Sequence, residues 1–199
     1  MWWSILGILV VHKKHKYDDH RKVKHSVLPD GTQEWRLDGK FHRDDGPARI
    51  FADGSVEYFL NGNHHRIGGP AINHANGFQT WCEHGVITRD GGPAISWSDK
   101  IMVWYKNGNF HRIDGPAVID VDRGMEAWWI DGVRHRLDGP AVEYKNGAKE
   151  YWQNGLRHRL DGPAIIRASG FQSWYNNGNF LRHEVPVIVA NDGACLAHL

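Results

Sequence analysis

A chain of 199 residues with 24 basic and 23 acidic side chains carries a formal charge of +1, so no net field draws it to nucleic acid or to an anionic membrane. Its two cysteines, Cys82 and Cys195, stand far apart and lack CxxC spacing, which supports neither a disulfide framework nor a zinc site. Ten Trp, six Tyr and seven Phe beside 23 Gly make a composition of aromatic-rich strands joined by glycine turns rather than of helices.

Residues 1–11 are apolar apart from Ser4 and are followed by Lys13, Lys14, His15 and Lys16. The stretch is too short to span a bilayer as a helix, which takes roughly 20 residues. It also lacks the early positive charge and small-residue cleavage site of a secretory signal. Two readings stay open. The segment is a hydrophobic first strand or cap over the end of the remaining strands, or residues 1–16 form a membrane anchor or interfacial segment, for which Trp2 and Trp3 suit the interface. Residues 1–29 are set apart as an N-terminal segment; residues 26–31 match the end of a first strand and its turn, a partial leading repeat.

From residue 30 to 193 the chain repeats itself. Gly-Pro-Ala recurs at Gly46, Gly69, Gly92, Gly115, Gly139 and Gly162 and decays to Val185-Pro186-Val187, at an interval of 23 with a single 24. A second glycine column runs through Gly39, Gly62, Gly85, Gly108, Gly132, Gly155 and Gly178, usually after Asn or Asp. A third follows Gly31, Gly54, Gly77, Lys100, Gly124, Gly147, Gly170 and Gly193. The one extra residue lies between Ala117 and Gly124, where a bulge or a looser turn is expected.

Asn-Gly and Asp-Gly between short β-branched and aromatic runs signal hairpins, because a type I′ turn needs positive φ at both central residues. Each unit therefore reads as two strands. In the unit from Gly139 these are residues 141–145 and 148–153, joined by an Asn146-Gly147 turn; a long connection over 154–162 follows, and Pro163 opens the next strand. The prediction is an all-β fold: an elongated, single-sheet antiparallel meander of about seven 23-residue hairpin repeats, each advancing the ribbon by about 10 Å. Residues 187–189 supply a last strand, Asn191-Asp192-Gly193 a last turn, and 194–199 a short tail.

The run Tyr151-Trp152-Gln153-Asn154-Gly155-Leu156-Arg157-His158-Arg159-Leu160-Asp161-Gly162-Pro163-Ala164 resembles MORN and MORN-variant repeats, and the resemblance extends over residues 30–193. Arg stands where that family's glycine follows the His, which makes this a variant pattern. His-Arg-x-Asp-Gly-Pro-Ala repeats also look like those of uncharacterised proteins of large DNA viruses and phages, a setting that implies host cytoplasm or virion. The family resemblance implies scaffolds, membrane-junction or lipid-associated modules and oligomerising ribbons, with no one activity attached to the repeat.

Four columns carry chemistry worth weighing. The first aromatic column is Trp35, Tyr58, Trp81, Trp104, Trp128, Tyr151 and Trp174; the next position reads Arg36, Phe59, Cys82, Tyr105, Trp129, Trp152 and Tyr175. Adjacent strand residues face opposite ways, so one column is expected to pack on the Ala and Ile/Val of the first strands. The other then stays exposed, and Phe59, Tyr105, Trp129, Trp152 and Tyr175 are the partner-binding candidates. Arg43, Arg66, Arg89, Arg112, Arg136, Arg159 and Arg182, mostly followed two residues on by an acid, read as a structural Arg–carboxylate or Arg–carbonyl ladder. His42, His65, His111, His135 and His158 read as loop braces, since rungs about 10 Å apart do not converge on one metal ion.

No catalytic or metal-binding residue and no cofactor is expected. Cys82-Glu83-His84 puts its thiol in an aromatic column and its imidazole at a turn, and the one-off residues His64, His74, Trp97, Asp120, Asp122 and Arg123 match no acid–base, nucleophile or metal motif. The leading expectation is a non-enzymatic repeat scaffold for protein–protein interaction or self-assembly, binding no nucleic acid and no small molecule. Its alternatives are a membrane-associated protein held by the N-terminal segment, and a small-ligand binder or hydrolase built between repeats.

Overall fold

The computed structural model describes residues 22–186 and the strands Ile188–Val189 and Cys195–Leu196. The expectations for the N-terminal apolar segment and the last turn fall outside them. Among the described residues every element is a strand, so no helix there is long and apolar enough to cross a membrane. A 16-stranded antiparallel sheet runs from Lys24–Val27 to Asn179–Glu184, each strand pairing with the next along one path, with Lys40–Phe41 pairing off it. The all-β antiparallel meander expected from the glycine columns is the fold of the chain.

Within a unit the sheet strands are shorter than the sequence predicts. Val142–Tyr144 pairs with Met125–Ala127 on one side and with Lys149–Glu150 on the other, and Lys149–Glu150 then meets Ile165–Ile166 of the next unit. The strand expected over 148–153 breaks at Tyr151, whose N–H donates to the Ala164 carbonyl at 2.7 Å while its carbonyl accepts from His158 N–H at 3.1 Å. Those two bonds turn the chain out of the main ladder. Trp152–Gln153 and Leu156–Arg157 form a separate hairpin inside the stretch expected to be a long connection. Phe59–Leu60 with Asn63–His64, and Tyr105–Lys106 with Asn109–Phe110, repeat the arrangement. The glycine of each such turn bonds back to the hairpin before it, as Gly155 N–H does to the Arg134 carbonyl at 3.0 Å.

This second hairpin holds the type I′ turn, with φ of 50° at Asn154 and 78° at Gly155. The expectation of that turn at Asn146-Gly147 is corrected. Only Gly147 has positive φ there (88°), and beyond the Glu143↔Lys149 pair the Tyr144 N–H donates to the Ala148 carbonyl at 3.0 Å, leaving a three-residue loop closed by Gly147 N–H to the Tyr144 carbonyl at 2.9 Å. That is a type I turn with a glycine bulge. Its Asn serves differently: the side chain accepts the Ala148 N–H at 3.0 Å, as Asp30 does for Thr32 and Asp53 for Ser55. Where the bulge glycine is replaced by Lys100, positive φ moves to Ser98 and Asp99. The extra residue before Gly124 is absorbed as a looser turn after the Asp120↔Met125 pair, with the Asp120 carboxylate accepting the Arg123 N–H at 3.0 Å.

The interior is thin. Ala48, Ala71, Ala94, Ala117, Ala141 and Ala164, the last residue of each Gly-Pro-Ala, have no exposed surface, and Val142 is the largest side chain that is fully buried. Each of these Ala carbonyls accepts the backbone N–H of a first-column aromatic residue, as Ala164 does from Tyr151 at 2.7 Å, and the Ala itself is wholly enclosed. Stability in such an array comes from contacts between successive units.

Candidate interaction surface

The loops that carry Arg-x-Asp-Gly-Pro line one edge of the ribbon. All seven arginines of the column lay the guanidinium flat on the first aromatic column, with Cζ 3.9–4.2 Å from the ring centroid: Arg43 on Trp35, Arg66 on Tyr58, Arg89 on Trp81, Arg112 on Trp104, Arg136 on Trp128, Arg159 on Tyr151 and Arg182 on Trp174. The opposite face of the guanidinium lies against the glycine of Gly-Pro-Ala. A Cβ on Gly46, Gly69, Gly92, Gly115, Gly139 or Gly162 would come within 2.8–3.0 Å of Cζ. These glycines are not among those of positive φ, and what sets them apart is the close approach of the guanidinium. Nη1 of Arg136 donates to the Pro140 carbonyl at 3.2 Å and Nε to Asp138 at 2.9 Å, a pattern kept by Arg43, Arg112 and Arg159. The sequence reading anticipated carboxylate and carbonyl partners for these arginines but missed the ring stack, because ring and guanidinium stand on the two sides of the second hairpin, which the sequence reading took for a connection.

Clamped loops hold up the residue that follows the Arg; Asp follows in turn after Ile113, Leu137 and Leu160, and Gly68 after Ile67. Ile67, Ile113, Leu137 and Leu160 are 79, 83, 74 and 80% exposed, the most exposed large apolar side chains among the described residues. They form an aliphatic row, preceded by Asp44 and interrupted once by Asp90 at the same position. Shallow open recesses separate consecutive loops; one is lined by Arg136, Asp138, Tyr151, His158, Arg159 and Asp161. Its arginines are spent on the stacks, so it offers no free convergent group. Sequence reasoning passed over the row, whose only signal was an aliphatic residue set between two charged ones in a polar loop.

Hydrogen bonds from the arginines hold Asp45, Asp114, Asp138 and Asp161 below their ordinary pKa of 3.8. A depressed carboxylate contributes stability that is complete above the unfolded-state value and lost as pH falls through the folded one. The urea midpoint is therefore expected to drop as pH is taken from 5 toward about 3 and below, and Asp138→Asn should flatten part of that slope. These carboxylates face solvent, so the effect per site is small.

The histidine column braces neighbouring units. Nδ1 of His42, His65, His135 and His158 accepts the backbone N–H of Asn61, His84, Asn154 and Asn177 at 3.0–3.1 Å, which places the proton on Nε2. Thr88 substitutes weakly, at 3.4 Å, and His111 Nδ1 takes the Asp131 N–H at 3.3 Å while lying closer, at 2.8 Å, to the Asp131 carboxylate. His135→Ala is expected to cost about 1 kcal/mol in urea unfolding, whereas His135→Asn, whose Oδ1 takes the place of Nδ1, should retain most of it. Among the described residues no group of three or more His, Cys, Asp or Glu is placed to hold a metal ion.

The second aromatic column is not the exposed stripe expected of it. Phe59 is only 8% exposed, and Tyr105, Trp129, Trp152 and Tyr175 are half-buried. The added hairpins fold back over these rings: Phe41 and His64 cover Phe59 at 5.0 and 4.0 Å, Phe110 covers Tyr105 at 4.7 Å, and Phe180 covers Tyr175 at 5.5 Å. Cys82 is buried in the same column, and burial pushes its thiol pKa up, away from a thiolate. The His84 ring stacks on His65, 4.2 Å between centroids. Compared with known proteins, the chain matches no family model and no curated protein.

Proposed function

We propose that the protein is a non-enzymatic scaffold that associates through its loop edge, with a second copy of itself as the first partner. The observation that carries this reading is the aliphatic row Ile67, Ile113, Leu137 and Leu160, each at least 74% exposed on a loop clamped from both sides. Rows of exposed apolar side chains on rigid supports mark contact surfaces. A surface that recurs at a fixed spacing is complementary along its length only to an object of the same spacing, and another copy of the chain is one. The resemblance of the repeats to MORN-type ribbons points the same way.

The sheet ends add to it. Lys24–Val27 and Asn179–Glu184 are exposed at every residue, with Phe180 and Leu181 at 55 and 59%. Open strand edges template further pairing. The partner-contact role first considered for Phe59, Tyr105, Trp129, Trp152 and Tyr175 passes to the loop row, since those rings already have partners.

The test is Ile113→Ser, Leu137→Ser and Leu160→Ser combined. Because these side chains are solvated in the folded chain, stability should change by no more than about 0.5 kcal/mol per site. Sedimentation velocity should show the wild-type associated species lost. A variant that associates as the wild type does would remove the row from the account.

A further inference from the structure

Glu150 is approached by three guanidiniums: Arg134, Arg157 and Arg167 each come to 3.9 Å of its carboxylate. None of these distances is a hydrogen bond; the carboxylate accepts one instead from Trp152 Nε1 at 3.1 Å. Three guanidiniums facing one carboxylate leave two positive charges uncompensated. Along the repeat the position of Arg134 and Arg157 otherwise reads Phe41, His64, Ile87, Phe110 and Phe180, so two successive copies depart from the pattern together.

The heads are held by rings rather than by Glu150. Arg134 lies 5.2 Å from both Trp129 and Trp152, and Arg157 lies 5.0 Å from Trp152 and 5.4 Å from Tyr175, giving a ladder in which ring and guanidinium alternate. Nε of Arg134, Nε of Arg157 and Nε1 of Trp129 are buried without a partner, a cost that nothing in the packing returns. What the arrangement gains is a fixed set of terminal guanidinium nitrogens at the surface, on side chains 33, 33 and 53% exposed. The equivalent cluster four units earlier, around Glu57, has imidazoles for two of its three cations, His64 at 3.9 Å and His74 at 3.6 Å, beside Arg49 at 3.9 Å. Glu34, in the same column, is met by two guanidiniums, Arg36 at 3.0 Å and Arg49 at 3.4 Å, so among the described residues of the column Glu150 alone gathers three permanent cations.

We propose that Arg134, Arg157 and Arg167 form a binding site for a doubly charged oxyanion of the phosphate or sulfate type. Planar guanidinium forks match the edges of a tetrahedral oxyanion, and a dianion neutralises the two excess charges.

The experiment titrates the full chain calorimetrically with inorganic sulfate and with inorganic phosphate, at constant ionic strength in chloride. Saturable binding at one site is expected, weakened at least about tenfold by Arg167→Gln. Arg167 has its side chain half in solvent and its turn closed by backbone bonds to Phe171 and Gly170, so this variant keeps the fold. Glu150→Gln removes the competing carboxylate and should tighten binding. No saturable heat, or equal affinity in the wild type and Arg167→Gln, overturns the proposal. Pelleting with phosphatidylcholine vesicles containing phosphatidic acid separates the sources. Capture abolished by Arg167→Gln assigns the oxyanion to a lipid headgroup, phosphate binding without capture assigns it to a soluble phosphate ester, and capture that Arg167→Gln leaves unchanged counts against the site.

Discussion

Trp128→Ala is expected to lower the stability of the ribbon by about 3 kcal/mol, read from urea unfolding followed by far-UV circular dichroism. The ring is half-buried, which places its truncation at the low end for a large aromatic, but it is also the platform for Arg136, whose Cζ lies 3.9 Å from its centroid. A stacked guanidinium of this kind contributes about 0.5–2 kcal/mol beyond apolar burial. With the ring gone, Arg136 loses the surface that aims Nη1 at the Pro140 carbonyl and Nε at Asp138. The loop carrying Leu137 then loosens, so the same substitution should weaken association even under conditions where the chain remains folded.

Gly139→Ala approaches the same sandwich from the other side and is expected to cost about 2 kcal/mol. The new methyl would stand 3.0 Å from Arg136 Cζ, so the guanidinium must give by a few tenths of an ångström, and with the Trp128 ring centroid only 3.9 Å away that shift disturbs the stack. Gly139 is not among the glycines of positive φ, so backbone strain adds nothing and the effect isolates the steric clash. The two substitutions should not add. Once Trp128 is removed Arg136 is free to move, and the methyl of Ala at position 139 is accommodated. A double-mutant cycle is expected to show a coupling of about 1 kcal/mol or more. Full additivity would mean that the ring, the guanidinium and the glycine do not act as one element.

Much of the architecture is legible in the glycine columns, because a period of 23 with Asn-Gly and Gly-Pro in fixed places leaves the chain few options other than a hairpin array. The division of labour between the columns is not. Asn146-Gly147 and Asn154-Gly155 are the same dipeptide, yet the first sits in a three-residue bulged loop and the second in a type I′ turn. The difference arises at Tyr151, whose N–H ends the ladder to the next unit on the Ala164 carbonyl while its carbonyl accepts His158 N–H and begins the second hairpin. The ladder half of that exchange is a bond between units and leaves no local trace in the sequence.

The Gly-Pro-Ala motif shows the same limit. Its glycine reads as a turn residue, whereas its reason is a guanidinium from three residues earlier, itself positioned by a ring on the far side of the second hairpin. The expectation of an exposed aromatic face failed for a related cause. The extra hairpin returns Phe41, Phe110 and Phe180 over the second aromatic column, so most of the aromatic surface is turned inward. Isolated aliphatics such as Ile113 and Leu137, which carry no weight in a sequence pattern, become the outward row.

Light scattering on size-exclusion chromatography, over a wide concentration range, for the full chain and for a chain starting at residue 17, tests the scaffold reading most directly. The account predicts that both associate, the full chain running above its 22.7 kDa monomer mass and the shorter one likewise above its own. A single-chain mass at every concentration, or association that disappears with residues 1–16, would contradict it.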